Sequence, residues 1–180
     1  MNQFSLKNGS FNFIISIIIL FGLILTCLLI SVDAQAKTYD VNVRVVRIID
    51  GDTAVVELPL YGNATVRLYG IDAPEKRQSN GTQATEFFSS LVFDKPIKLR
   101  VRGKDQYGRL IVQVFHEDKD IGLLMVRYGY AWHYSSIAKD KELATAQQAA
   151  KKQKLGLWKE QKPVAPWVYR KNPKKYQVIN

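Results

Sequence analysis

The run Thr53-Ala54-Val55-Val56-Glu57-Leu58, the break Pro59-Leu60-Tyr61-Gly62-Asn63 and the run Ala64-Thr65-Val66-Arg67-Leu68-Tyr69 decide the fold of this chain. Two β-favouring segments on either side of a break containing Pro and Gly read as an antiparallel hairpin. A turn centred near Tyr61 sets Val55 opposite Arg67 and brings the start of the first strand beside the end of the second. Upstream, Val41, Val43 and Val45 alternate with Asn42 and Arg44, which extends the hairpin to an antiparallel meander. Downstream, Ile97–Val101 and Leu110–Phe115 flank Gly103 and the turn Asp105-Gln106-Tyr107-Gly108. Five strands in all suit a small barrel.

Helical spacing fills the remainder. Ala84, Phe87, Phe88 and Leu91 recur at i, i+3, i+4 and i+7, and so do Ile121, Leu124, Met125 and Tyr128. A third helix is expected from about Ile137 to Leu155, with Asp140 early, Lys151, Lys152 and Lys154 late, and Gly156 as its C-cap. The fold class is therefore a β-barrel with helices (α+β). The segment Pro163–Pro173, carrying Trp167 and Tyr169, is too rich in proline for a sheet or helix and is expected as an extended strap on the domain.

The 180 residues carry 26 Lys and Arg against 16 Asp and Glu, a formal charge of +10. That length fits one ordinary domain, and a 47% hydrophobic content supplies a core, which excludes disorder throughout. Only Lys7 and Asp33 are charged among the first 36 residues, so the whole +10 falls on residues 37–180. Such a surface attracts polyanions, whether nucleic acid or an anionic membrane or wall. The single Cys27 excludes an internal disulfide framework and a Cys-rich zinc site. Two histidines leave little for a histidine metal centre: His133 reads as a hydrogen-bonded packing residue, with base stacking or a catalytic role as alternatives, and His116 as exposed. No nucleophile-elbow or phosphate-cradling glycine loop is present to suggest a serine hydrolase or an NTPase.

Phe13–Val32 is almost wholly apolar and is followed by Ala34-Gln35-Ala36, a small-x-small pattern of the kind a signal peptidase cuts. The expected organisation is an export segment over 1–36, a globular domain over 37–160 and the Pro-rich strap over 161–180. The domain is then secreted or extracytoplasmic. The alternative is an uncleaved anchor holding it outside the membrane.

The hairpin also concentrates acid. Asp52 and Asp72 meet at one end, with Asp50 and Glu75 close by, and an acidic nest on a basic protein needs a cation, a raised pKa or nearby arginines. A hard, oxygen-preferring ion, Ca²⁺ or Mg²⁺, fits it best. Arg67 and Asp72 have opposite parity on a flat strand, so a bend near Gly70 is required for them to share a face.

Asp50-Gly51-Asp52-Thr53, Arg67, Ile71-Asp72-Ala73-Pro74-Glu75 and Asp105-Gln106-Tyr107-Gly108-Arg109 occur in this order in one chain. Together with Tyr128-Gly129-Tyr130-Ala131, Lys154-Leu155-Gly156-Leu157-Trp158 and the closing Pro163-Val164-Ala165-Pro166-Trp167, they resemble the staphylococcal (micrococcal) nuclease family from roughly Val43 to Trp158. The resemblance implies a five-stranded OB-fold Greek-key barrel with three α-helices. It implies Ca²⁺ held by Asp52, Asp72 and the main-chain carbonyl of Ala73, where many relatives carry Thr. It further implies Glu75 as general base, Arg67 and Arg109 as guanidinium groups on the phosphate, and products bearing a 3′-phosphate.

Tyr107 resembles a tyrosine near the bound nucleotide, while Gln106 stands where the best-known member has a lysine. Trp132 and Tyr134 are candidates to stack on bases. The function expected is that of an exported, Ca²⁺-dependent endonuclease acting on DNA and RNA, a monomer with no protein partner and with a membrane partner only if the amino-terminal segment is uncleaved. One alternative is a non-catalytic OB module that binds nucleic acid at the cell surface. Another is an anchored protein whose basic face binds anionic wall polymer or lipid.

Overall fold

The computed structural model describes residues 40–176. The apolar segment Phe13–Val32, Cys27 and the Ala34–Ala36 pattern lie outside the described residues.

β1 (Asp40–Ile48), β2 (Thr53–Leu58) and β3 (Gly62–Leu68) form the expected meander, each pairing antiparallel with the next. The chain then passes through the two-residue β4 (Ile71–Asp72) and helix α1 (Gly81–Val92) to β5 (Ile97–Lys104) and β6 (Leu110–His116). β5 pairs antiparallel with β1 and with β6, and β6 returns to pair parallel with β3. Every edge of the five-stranded sheet is thereby consumed, and the mixed barrel is closed. Inward positions are apolar: Ala54 and Val56 on β2, Val66 and Leu68 on β3, Leu99 on β5, and Val112 and Val114 on β6 are all buried.

The register differs from the expectation. The turn centres on Leu60 rather than Tyr61, so Val55 faces Thr65 and Arg67 faces Thr53. Leu60 takes a left-handed backbone, which lets the strands run two residues closer to the tip. The consequence is a tighter site, because Asp52 now adjoins the pair that contains Arg67.

Three helices cover the barrel. α1 buries Ala84, Phe88 and Val92. After the short β7 (Lys119–Asp120), α2 (Ile121–Arg127) buries Ile121, Met125 and Val126, and Asp120 caps it by accepting from the Leu123 amide at 3.0 Å. β8 (Trp132–His133) pairs with β4 and leads to α3 (Lys141–Lys152). α3 is shorter than expected at both ends. It starts after its cap, Asp140, whose side chain accepts from the Glu142 and Leu143 amides, and ends at Lys152 with Gln153 as C-cap; both Lys154 and Gly156 beyond it take the left-handed backbone expected of Gly156. Gly156 opens a 3-10 turn over Gly156–Lys159, so close to Gly129 that a Cβ there would sit 2.2 Å from the Gly129 carbonyl oxygen.

The carboxy-terminal segment is not an extended strap. It forms two one-turn helices, α4 (Pro166–Tyr169) and α5 (Pro173–Tyr176), each beginning at a proline. Proline lacks only an amide that a first helical turn leaves unpaired, so it starts such turns readily. The segment is docked through buried Ala165, Pro166 and Tyr169.

His133 is buried, with Nε2 at 2.8 Å from the Ala138 carbonyl, a packing role as expected. His116 is half-buried rather than exposed, because its Nδ1 lies 2.9 Å from the Pro96 carbonyl.

Candidate active site

Backbone geometry assembles the site at one end of the barrel. Asp52 lies in the turn between β1 and β2, where its carbonyl accepts from the Leu68 amide at 2.9 Å. Gly51 beside it is obligatory for space: a Cβ would meet the Ala73 Cβ at 2.8 Å and the Ala84 Cβ at 2.9 Å. β3 ends at Leu68, and Gly70 takes a φ of +75° before β4 begins at Ile71. That turn is the bend that parity requires. β4 then pairs with β8, Asp72 opposite Trp132, and its direction is no longer that of β3. Arg67 and Asp72 therefore meet.

Arg67 bridges the two aspartates. Its Nη1 donates to Asp52 Oδ1, and its Nη2 donates to Asp72 Oδ1 at 2.7 Å. Asp52 Oδ1 also accepts from Thr53 Oγ1 at 2.9 Å, and Oδ2 from the Ala73 amide at 2.8 Å. Asp52 is 2% exposed and Asp72 0%. Glu75 follows Pro74 on the loop after β4, and its Oε1 accepts from Arg170 Nη1 at 2.9 Å.

Arg170 reaches the same cluster from the carboxy-terminal segment. Its two terminal nitrogens fork onto Asp72, Nη1 to Oδ1 at 3.0 Å and Nη2 to Oδ2 at 2.7 Å. No role was expected of Arg170 from sequence. The signal available was Tyr169-Arg170-Lys171 directly after Pro166-Trp167, which places a cation on a proline-started turn but not in a site.

Arg109 stands apart from this network. Its Nε donates to Asp105 Oδ2 at 2.7 Å and its guanidinium lies 5.5 Å from the Tyr107 ring centroid. Among the described residues it makes no hydrogen bond or ion pair to Asp52, Asp72 or Glu75. The backbone nonetheless sets it at the same barrel edge, two residues before Ile111, the register partner of Arg67. Asp105 is held below the usual carboxylate range: burial opposes this, but hydrogen bonds from Arg109 and the Arg109 and Tyr107 amides prevail.

Tyr107 is 75% exposed beside Arg109. The other two aromatic candidates are occupied by packing. Trp132 meets Trp158 edge-on at 4.4 Å and Trp167 at 5.5 Å, while Tyr134 stacks on Trp167 at 5.3 Å with an interplanar angle of 9°. These contacts clamp the carboxy-terminal segment to β8.

Burial pushes the Asp52 carboxyl up to about 7; Arg67 opposes the rise, and the Asp50 and Asp72 charges add to it. The folded protein thus holds this proton more tightly than the unfolded chain. Its stabilising contribution is complete below about pH 4 and is lost as pH rises to about 7. In chelator, wild-type stability is expected to fall over that window relative to Asp52→Asn, measured by denaturant unfolding at each pH. Parallel curves for the two proteins would contradict it.

The donor chemistry fits a hard cation. Asp52 and Asp72 are oxygen donors held together by Arg67, and the electrostatic deficit at Asp52 is of the kind a divalent ion relieves. Among the described residues no three Asp, Glu, His or Cys side chains stand in ligand geometry. Each carboxylate offers about four lone-pair sites and here accepts three hydrogen bonds, so such an ion would share Asp52 and Asp72 with Arg67 and Arg170.

The family described as Staphylococcal nuclease homologue matches residues 65–160. The chain belongs to the staphylococcal nuclease family. It is 40% identical over 132 residues to an "Uncharacterized endonuclease" of Escherichia coli O157:H7, covering 73% of this chain and 86% of that protein. A protein of the same name from Haemophilus influenzae is 35% identical over 157 residues, 87% of this chain and 86% of its own. A "Micrococcal nuclease" of Shigella flexneri is 34% identical over 158 residues, 82% of this chain and 88% of its own. Within the staphylococcal nuclease homologues, the matched span holds Arg67, Asp72, Glu75 and Arg109, whereas Asp52 precedes it and Arg170 follows it.

Proposed function

We propose that this staphylococcal nuclease family member, a phosphodiester hydrolase of the endonuclease type, cuts DNA and RNA in a Ca²⁺-dependent reaction outside the cytoplasm. The observation that carries the reading is the convergence of Asp52, Arg67, Asp72 and Glu75, separated by up to 23 positions, on one end of a basic barrel. A non-catalytic binding module would have no use for two buried carboxylates and a base held against guanidinium groups.

Phosphodiester hydrolysis demands attack by water on a group that is already negative, with more charge building on the equatorial and leaving oxygens. Ca²⁺, when held by Asp52, Asp72 and the Ala73 carbonyl, supplies Lewis-acid withdrawal of that charge. Arg67 and Arg109 offer planar two-point donors that match phosphate oxygens and that lysine does not copy. Glu75, whose side chain is 34% exposed, takes the proton from the attacking water as the bond to the leaving 5′-oxygen breaks, and that oxygen takes up a proton from solvent. Grip directed at the backbone makes the enzyme tolerant of sequence, with Tyr107 as the aromatic surface beside the phosphate site.

The decisive experiment incubates the purified protein with DNA or RNA in Ca²⁺ and in excess chelator. Cleavage that survives chelation would refute the metal role, and absence of cleavage under any divalent ion would leave a binding module. Arg109→Ala is expected to lower turnover by about 10²- to 10³-fold. Its melting temperature should stay close to wild type, because it gives up only a partly exposed pair with Asp105. An equal loss of fold and turnover would assign Arg109 a structural role. Export is tested by mapping the mature amino terminus: an end at Lys37 is expected, and an end at Met1 would mean an anchor.

A further inference from the structure

We propose that the carboxy-terminal segment is part of the catalytic apparatus, and that Arg170 is a positioning residue which fixes the Glu75 carboxylate against Asp72. This rests on the reading of Glu75 as general base. Glu75 sits on a loop with its side chain 34% exposed, and a glutamate so placed ordinarily samples many rotamers. Arg170 Nη1 shares its donors between Glu75 Oε1 at 2.9 Å and Asp72 Oδ1 at 3.0 Å. Asp72 is in turn held in place: it is fully buried, lies in the β4–β8 pair and also accepts from Arg67 at the same Oδ1 that Arg170 Nη1 touches. The guanidinium thus transfers the rigidity of a buried carboxylate to an exposed one. Among the described residues Glu75 Oε2 accepts no hydrogen bond, so it is the oxygen left to face a water.

The segment that delivers Arg170 is anchored to serve this purpose. Gln78 Nε2 donates to the Val164 carbonyl, and Ser79 and Asn80 both donate to Glu160. Trp167 stacks on Tyr134, and Tyr169, buried at 5% exposure, immediately precedes Arg170. Pro166 sets the direction of the single helical turn whose end is Arg170. Gln78, Ser79, Asn80, Tyr134 and Glu160 lie within the span 65–160 that the family model matches, while Val164, Trp167, Tyr169 and Arg170 follow it. Arg170 thus reaches the site from a segment that follows the matched span. A lysine would not substitute, because a point charge cannot span both oxygens of Asp72 and reach Glu75 together.

The test uses the full chain with Arg170→Met, which keeps the aliphatic stem, alongside Arg170→Lys, Glu75→Gln and the double variant Glu75→Gln with Arg170→Met. Arg170→Met is expected to lower kcat by about 10²-fold, as misplacement of a catalytic group does, while KM for DNA stays within about twofold. Tryptophan emission in chelator, reporting Trp167 on Tyr134, should match wild type. Arg170→Lys should recover little of the lost turnover. The double variant should be no slower than Glu75→Gln, since an effect exerted through Glu75 vanishes with it. Multiplying losses in the double variant, or wild-type turnover in Arg170→Met while Glu75→Gln is inactive, would overturn the positioning role alone. Full turnover in Glu75→Gln would overturn the general-base reading and this role with it. If the emission shows the segment undocked in Arg170→Met, the Lys variant carries the test: recovery of turnover there overturns the proposal, and a kcat loss with docked emission supports it.

Discussion

Glu75→Gln is expected to lower turnover on DNA by about 10²- to 10⁴-fold, the usual worth of a positioned general base. The amide has the size and shape of the carboxylate but cannot accept a proton from water at neutral pH. It can still accept from Arg170 through its carbonyl oxygen, so the contact at 2.9 Å survives and the fold is not at risk. Asp52, Asp72 and the Ala73 carbonyl are untouched, and Ca²⁺ affinity by calorimetry should change far less than kcat. A variant that loses Ca²⁺ binding would make Glu75 a ligand rather than a base.

Arg67→Met should be the most costly substitution for the fold as well as for turnover. The side chain is 15% exposed and its fork touches both aspartates, whose side chains are 3% and 0% exposed. Removing one partner of a buried ion pair costs about 3–5 kcal/mol, because the remaining charge is left in a poor dielectric. The two acids are not equally stranded. Asp72 retains the Arg170 fork, while Asp52 retains only neutral donors, Thr53 Oγ1 and the Ala73 amide. Asp52 already holds its proton up to about pH 7, and without Arg67 it must hold it higher still. The deficit should therefore be larger at pH 8 than at pH 5, and a divalent cation should recover part of it at the higher pH. Turnover should fall by about 10²- to 10³-fold even under conditions where the variant is folded. Melting temperatures within a degree or two of wild type at both pH values would mean that Arg67 does not balance the aspartates.

The parts of this protein that sequence made legible are those governed by near neighbours. Alternation in Val41, Val43 and Val45 and in Thr53–Leu58 reports which face of a strand is buried, so strands and barrel were readable. Spacing in Ala84, Phe87, Phe88 and Leu91 reports a helix stripe in the same way. The pairing of Asp52 with the Arg67–Asp72 region followed from the hairpin, even though the turn lay one residue from where it was expected. A shift in the turn moves partners by an even step, and so preserves which face each residue occupies.

What sequence missed depends on contacts without a local period. That Trp167, over thirty positions on, packs against Trp132 and Tyr134 was not legible, because an aromatic run carries no mark of what will meet it; both rings stay half-buried. The proline-rich end looked extended because proline disfavours helix interiors, yet proline at the first turn favours a helix start, and only packing decides which applies.

By itself, the alternation of apolar residues determined the strands of the barrel, the hairpin brought Asp52 beside the Arg67–Asp72 region, and the order Asp52, Arg67, Asp72, Glu75, Arg109 carried the resemblance to the family and the chemistry that it implies. The tertiary structure alone decided that Arg170 enters that cluster from 95 positions beyond Glu75. It alone decided, too, that Arg109 rests on Asp105 rather than among the aspartates. The reason is physical: a hairpin fixes its own register through adjacent hydrogen bonds, whereas the destination of a docked tail or a long side chain is set by whichever buried charge or aromatic face the completed fold leaves to be satisfied.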